Sequence, residues 1–316
     1  MNSPSVPHPY YELLIAAARK SGPATVAVAH ACDRHALEAA LDAASMGLIS
    51  PILVGPQARI RQAAQEAGLD ISALPLVDTE HSHDSALRAV ELIREGKASV
   101  LMKGSLHTDE LMGAVVASET GLRTSRRLSH CFVMDVPGRS EPLIITDAAV
   151  NITPTLADKV DIIQNAIDLA HVLKFDPVKV AILAAVETVS ARMPSTIDAA
   201  ALCKMADRGQ ITGAILDGPL AMDNAIDPEA AQIKHLVSPV AGQANILLAP
   251  DLEAGNMLAK SLTFMAGAAA AGIVLGARVP IILTSRADSV TARLASCAVA
   301  VLMARDALAT GHVMGG

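Results

Sequence analysis

Pro280-Ile281-Ile282-Leu283-Thr284-Ser285-Arg286 is a short apolar strand that ends in a hydroxyl and a guanidinium. In an open α/β sheet the carboxyl ends of the strands line the ligand crevice, so this ending points to both a fold class and a candidate site. The pattern recurs along the chain. Leu101-Met102-Lys103-Gly104, Ile144-Ile145-Thr146-Asp147, Ile215-Leu216-Asp217-Gly218-Pro219 and Leu247-Leu248-Ala249-Pro250-Asp251 are each an apolar run closed by a polar or charged residue and a turn former. Several strand ends are therefore expected to converge on one polar site.

Strand-like runs at 25–29, 51–54, 99–102, 180–185, 213–216, 245–248 and 280–283 alternate with helical spacing. Alternation of this kind predicts βαβ units and mainly parallel sheets. Helices are expected at 34–46, 58–67, 156–173 and 290–308, the third opening with Thr153 as N-cap and Pro154 at the first helical position. The uncharged stretch from Ser261 to Ala277 is at the short limit for a membrane span. Ala and Gly dominate it in place of Leu and Ile, and it reads as a buried helix.

At 316 residues the chain is long enough for two domains of about 150 residues each with a cleft between them. The 120–153 region, punctuated by Pro137, Gly138 and Pro142, is the expected first crossing, and 276–280 the second. That gives an α/β domain of 1–134 plus 279–316 and an α/β domain of 135–278, with Ser285 and Arg286 facing the second domain.

Trp is absent, and Tyr10, Tyr11, Phe132, Phe175 and Phe264 are the only aromatics, so a base-stacking surface has little to stack with. The formal charge of −7, without a long basic run, argues against nucleic acid as a partner. Nothing in the first residues has the pattern of a secretory or transit signal, and a cytoplasmic location is expected. Cys32, Cys131, Cys203 and Cys297 form no C-x-x-C pair, which fits reduced thiols.

Among residues able to carry chemistry, the Ser285 hydroxyl can donate to a developing anion beside the planar Arg286 cation, although a serine before a helix is also a common cap. Asp217-Gly218-Pro219 and Asp223 place two carboxylates and a tight turn after a strand; these either shape the loop or orient and deprotonate a substrate group. Gly255-Asn256 opens a helix running through Lys260, where a glycine lets backbone N–H groups reach a phosphate oxygen. Arg123, Arg126 and Arg127 with Ser129-His130 form the densest cationic patch in an acidic chain. His81-Ser82-His83, flanked by acids, reads as a polar loop and helix start rather than a metal tract. No P-loop or G-x-G-x-x-G fingerprint occurs.

Taken in order, Met102-Lys103-Gly104, Ile145 to Asn151, Asp217 to Ala225, Gly255-Asn256 with Lys260, Gly272 with Gly276, and Pro280 through Ser285-Arg286 resemble the phosphate acetyltransferase and phosphate butyryltransferase family. The resemblance implies two α/β domains in an isocitrate/isopropylmalate-dehydrogenase-like arrangement, an interdomain cleft and a homodimer. It implies conversion of acyl-CoA and inorganic phosphate to acyl phosphate and CoA, with CoA as a substrate and neither metal nor cofactor. Ser285 would then hydrogen-bond the departing sulfur, and Arg286 would bind phosphate or the carbonyl oxygen. Lys103, Arg127, Ser129, His130, Asp147, Asn151, Gly255, Asn256 and Lys260 make up the substrate-binding set.

Acetyl-specific members carry an aspartate, to which deprotonation of the CoA thiol is ascribed, where this chain has Ala292. Asp217, Asp223 and the phosphate itself are the alternative bases. The Asp217 to Ala225 and Thr284 to Ser289 variants look more like the butyryl branch. The competing readings are a non-catalytic acyl-CoA-binding regulator, and a metal- and NAD-dependent hydroxy-acid dehydrogenase on the same architecture.

Overall fold

The computed structural model describes residues 8–283 and 288–311. The first part of the chain forms α1 (Pro9–Ser21), β1 (Ala24–Ala29), α2 (Arg34–Ser45), β2 (Ile49–Val54), α3 (Gln57–Ala67), β3 (Leu76–Val77), α4 (Ser82–Arg94), β4 (Val100–Lys103) and α5 (Thr108–Val116). The middle forms β5 (Ser129–Asp135), β6 (Leu143–Thr146), α6 (Leu156–Val172), β7 (Lys179–Leu183), α7 (Pro194–Asp207), β8 (Ile215–Leu220), α8 (Met222–Ile226), α9 (Pro228–Ile233), β9 (Ile246–Leu248) and α10 (Leu252–Met265). The last part forms β10 (Ala269–Leu275), β11 (Ile281–Ile282) and α11 (Val290–Thr310). Among the described residues no helix is long and apolar enough to cross a membrane.

Contacts divide the chain into two compact units, which we call split (11–126 and 271–311) and central (8–10 and 127–270). In the split unit the strands run in the order β3-β2-β1-β4-β11-β10. β1 is parallel to β2 and β4, β11 is parallel to β4, and β10 is antiparallel to β11. Residues of β1 such as Val26, Ala27 and Val28 are fully buried, the continuous apolar pattern of a parallel strand covered on both faces. α2 is fixed at its start by the Asp33 carboxylate, which accepts from Ala36 N–H, and buries Ala36, Leu37, Ala40 and Ala43 at helical spacing.

In the central unit the order is β5-β6-β9-β7-β8, all parallel except β5, which runs antiparallel to β6. Its core joins Met134, Leu143 and Ile145 to Ala181, Leu183, Leu220 and Leu247. The carboxyl ends of β6, β9, β7 and β8 therefore share one edge of this sheet, beside the first residues of β5.

Three sequence expectations differ from the structure. The 261–277 stretch is not one helix: α10 ends at Met265, Gly267 adopts φ +69°, and β10 begins at Ala269. A strand buried on both faces shows no alternation, so its apolar run reads like a buried helix. Asp217-Gly218-Pro219 is not a turn after a strand but lies inside β8, with a register shift against β7. β8 closes the strand order, and an edge strand tolerates a proline that has no N–H to give. The cap of α6 is Thr155, not Thr153. Its hydroxyl accepts from Asp158 N–H while the Asp158 carboxylate accepts from Thr155 N–H, a reciprocal capping box.

Candidate active site

The carboxyl end of β6 holds the most elaborate polar arrangement in the central unit. Asp147, 3% exposed, turns the chain after Thr146. One of its oxygens accepts from Ala149 N–H (2.9 Å) and Val150 N–H (3.1 Å), and the other from Asn151 N–H (3.1 Å) and the Asn151 side-chain amide. An aspartate with this many donors organises the turn from inside.

Asn151 passes that order on. Its Nδ2 donates to Leu128 O, and its Oδ1 accepts from Arg127 Nε at 2.6 Å. Arg127 Nη1 pairs with Asp158 at 3.0 Å, and Arg127 N–H donates to Asp161. The guanidinium is thus held on two of its nitrogens while about half of the side chain stays exposed, a geometry suited to an anion. Asn165 of α6 donates to Arg127 O at 3.0 Å and to Ser129 Oγ at 2.9 Å, tying the start of β5 into the same set.

His130 is fully buried opposite Asp147, with its ring edge-on to Phe132 at 4.3 Å. Burial pushes its pKa down from the usual 6.5 to about 4, against the opposing pull of the Asp147 carboxylate. It is a neutral imidazole at pH 7, and its Nδ1 has no hydrogen-bond partner. Burial pushes the neighbouring Cys131 thiol up to about 12, so it is not a nucleophile.

α10 closes this corner. Its cap Asp251 accepts from Ala254 N–H, and Asn256 donates to Ala148 O at 3.0 Å. A Cβ on Gly255 would stand 2.5 Å from Asp147 O, so glycine is what lets the helix approach the turn. Its N–H is engaged by Asp251 O at 3.2 Å, which makes its contribution steric. Lys260 lies a turn further along, exposed.

The structure therefore brings Arg127, Ser129, His130, Asp147, Asn151, Gly255 and Asn256 together. Asp217 and Asp223 stand apart. Asp217 lies within β8, its carboxylate accepting from Gly218 N–H at 2.8 Å, and Asp223 is exposed in the first turn of α8. Next to it, Asn224 is fully buried and donates to Glu187, which pairs with Lys234 at 2.9 Å.

In the split unit, Lys103 ends β4, and its ammonium donates to Leu106 O at 3.1 Å. Gly104 packs so closely on β1 that a Cβ would lie 2.4 Å from Ala29 O. Ser285 and Arg286, with Thr284 and Ala287, lie outside the described residues. β11 leads into them in register with β4, Ile282 beside Met102, and Ser289 rather than Ser285 caps α11.

Sequence reasoning missed four residues. Asp158, Asp161 and Asn165 belong to the Arg127 frame, and a signal was available: Asn165 is a polar residue on the buried face of α6 among Ile162, Ile163, Ala166 and Ile167. The fourth is His30, at the carboxyl end of β1 with φ +57° and Nδ1 3.0 Å from Ser85 Oγ. Among the described residues no group of three or more His, Cys, Asp or Glu is placed to hold a metal ion.

The phosphate acetyl/butaryl transferase family model matches residues 11–87 and 79–301. The chain is similar to a phosphate acetyltransferase of Rhizobium meliloti, 65% identical over 294 residues that cover 93% of each chain. It is 42% identical over 279 residues to a phosphate butyryltransferase of Clostridium acetobutylicum, covering 88% of this chain and 93% of the other. Among solved structures, a branched-chain phosphotransacylase from Enterococcus faecalis V583 superposes with a TM-score of 0.78 at 29% identity, covering 89% of this chain and 99% of that one.

Proposed function

The chain belongs to the phosphate acetyl/butyryl transferase family and is an acyltransferase, and from that premise we propose that it moves an acetyl group reversibly between CoA and inorganic phosphate. The observation that carries the reading at the site is the oriented, half-exposed Arg127 guanidinium held by Asn151 and Asp158. The acetyl preference is supported by the 65% identical relative named phosphate acetyltransferase.

A phosphate oxygen attacks the thioester carbonyl carbon, negative charge collects on the former carbonyl oxygen, and collapse breaks the C–S bond so that CoA leaves as thiolate. No covalent enzyme intermediate is needed, so catalysis rests on positioning and on stabilising charge. Arg286 binds phosphate or the developing oxyanion, and Ser285 donates to the sulfur. In the reverse direction the CoA thiol must lose its proton. Asp223, exposed past the carboxyl end of β8, is better placed as base than Asp217 within the strand, and bound phosphate is the third candidate.

Lys103, Arg127 and Lys260 make the direct contacts of the substrate-binding set, and the buried Ser129, His130 and Asn151 support them together with Asp147, Gly255 and Asn256, which hold the turn beneath. CoA enters as substrate, and no metal or other cofactor takes part. The protein works as a homodimer in the cytoplasm, without nucleic-acid or membrane partners. Met257, Phe264 and Met265, 63%, 77% and 86% exposed on one helix, support self-association, and four free cysteines fit a reducing compartment.

The test is phosphate-dependent release of CoA thiol from acetyl-, propionyl- and butyryl-CoA. Release should require phosphate, fall with each added methylene by about 1–3 kcal/mol in kcat/KM, and drop at least about 100-fold in Arg286→Ala. CoA binding without phosphate-dependent release would refute the acyltransferase reading.

A further inference from the structure

We infer that the central unit carries a second ligand site, at the amino-terminal edge of its parallel strands, that takes an anion bearing a flat ring, a nucleoside diphosphate in class. The site is an open depression of about 720 Å³, inside the range of about 300–1,000 Å³ that small-molecule pockets occupy. Pro142 just before β6, Lys179 opening β7 and Asn245 just before β9 belong to its wall. Asp147 and Asn151 lie at the other end of β6, a strand spanning roughly 13 Å, so the depression is separate from the Arg127 cluster.

Its electrostatics differ from those of the chain as a whole. Among the residues lining the depression, Arg139, Lys174 and Lys179 outnumber Glu141 and Asp176 in a protein of net charge −7, while the buried Asp135 carboxylate behind the wall accepts from Tyr10 N–H at 3.0 Å. Among the described residues none of the three cations forms an ion pair. Lys179 Nζ instead donates to the neutral Gln243 Oε1 at 2.6 Å, and Arg139 Nε is buried without a partner. Four other cations of the unit, Arg127, Lys159, Lys204 and Lys234, have carboxylate partners within 3.0 Å, whereas these three stand together around one concavity. Cations kept unpaired around a concavity are what an anionic ligand needs, since a phosphate can take both a guanidinium and an ammonium.

The ring preference comes from the remaining wall. Tyr10 and Phe175 meet edge-to-face with centroids 6.5 Å apart, and the Tyr10 hydroxyl is buried with no partner. Aromatics are 2% of this sequence, and two of its five line this one depression. They offer a planar group a surface to pack on.

The experiment is a calorimetric titration of ADP into the full chain already saturated with CoA, which blocks the acyl-CoA site. One further binding event in the submillimolar range is expected. The variant Arg139→Gln/Lys179→Gln should weaken it about tenfold or more, equivalent to about 1.4 kcal/mol, and Phe175→Leu should weaken it about threefold. Both variants should retain wild-type thiol release without ADP, which shows that they fold and keeps this inference separable from the acyltransferase reading. No event above saturating CoA, or an event undiminished in the Gln pair, overturns the site. An event lost in the Gln pair but unchanged by Phe175→Leu overturns its ring preference.

Discussion

Asp147 and Asp217 both follow an apolar strand run in the central unit, yet one carboxylate is buried among four local donors and the other is part-exposed at the sheet edge beside Gly218 N–H. β6 lies inside the strand order, so the chain leaving it must satisfy its backbone groups internally, and Asp147 does this for three consecutive N–H groups. β8 has solvent along one side, so Asp217 carries no such burden. An acidic residue closing a short apolar run is therefore two different things: at β6 it ends an inner strand, and at β8 it lies within an edge strand.

The sharpest way to break this contrast is to remove each carboxylate. Asp147→Ala should cost about 4 kcal/mol in denaturant unfolding, since a charged acceptor is lost to several buried donors, and Asp217→Ala below about 1 kcal/mol. Equal losses would mean that the turn does not depend on Asp147.

The next largest effect belongs to His130, which faces Asp147. Its folded pKa of about 4 lies below the ordinary 6.5, so between those values the unfolded chain binds a proton that the native state does not. That contribution is complete above pH 6.5 and is lost as pH falls toward 4, about 3 kcal/mol in total. His130→Leu should flatten the stability profile in that window, and parallel wild-type and variant profiles would count against a buried neutral imidazole.

Gly255→Ala pushes a methyl group at a backbone oxygen 2.5 Å away. It should destabilise by about 2 kcal/mol and raise the KM for phosphate. The smallest change in stability is expected for Arg127→Ala, whose half-exposed ion pair contributes less than about 1 kcal/mol. The KM for phosphate or acyl-CoA should nonetheless rise about tenfold, the signature of an anion anchor. A stability loss without a KM change would make Arg127 a structural residue.

Much of this was legible in the sequence because short apolar runs closed by polar residues survive intact as strand ends. The runs before Lys103 and Asp147 and the one reaching Ile282 became β4, β6 and β11. What failed did so for physical reasons. β10 has no polar face to give it a period, Asp217-Gly218-Pro219 has turn composition but sits where an edge strand accommodates it, and Thr155 outcompeted Thr153 because only Thr155 has Asp158 three residues on. The Arg127 frame links residues 24 and 38 positions apart, and no local pattern encodes contacts of that span.

The division of the split unit into 11–126 and 271–311 has a consequence for synthesis on the ribosome. All five strands and every β-partner within the central unit are made in one continuous stretch, so that unit can close while the chain is still growing. β4 is in the opposite position: it emerges with Leu101 and Met102, buried residues of the finished sheet, and has no neighbour on its outer side until Ile281 and Ile282 are translated. For that interval the nascent protein shows an unguarded apolar strand edge, the kind of surface that chaperones bind and that seeds aggregation.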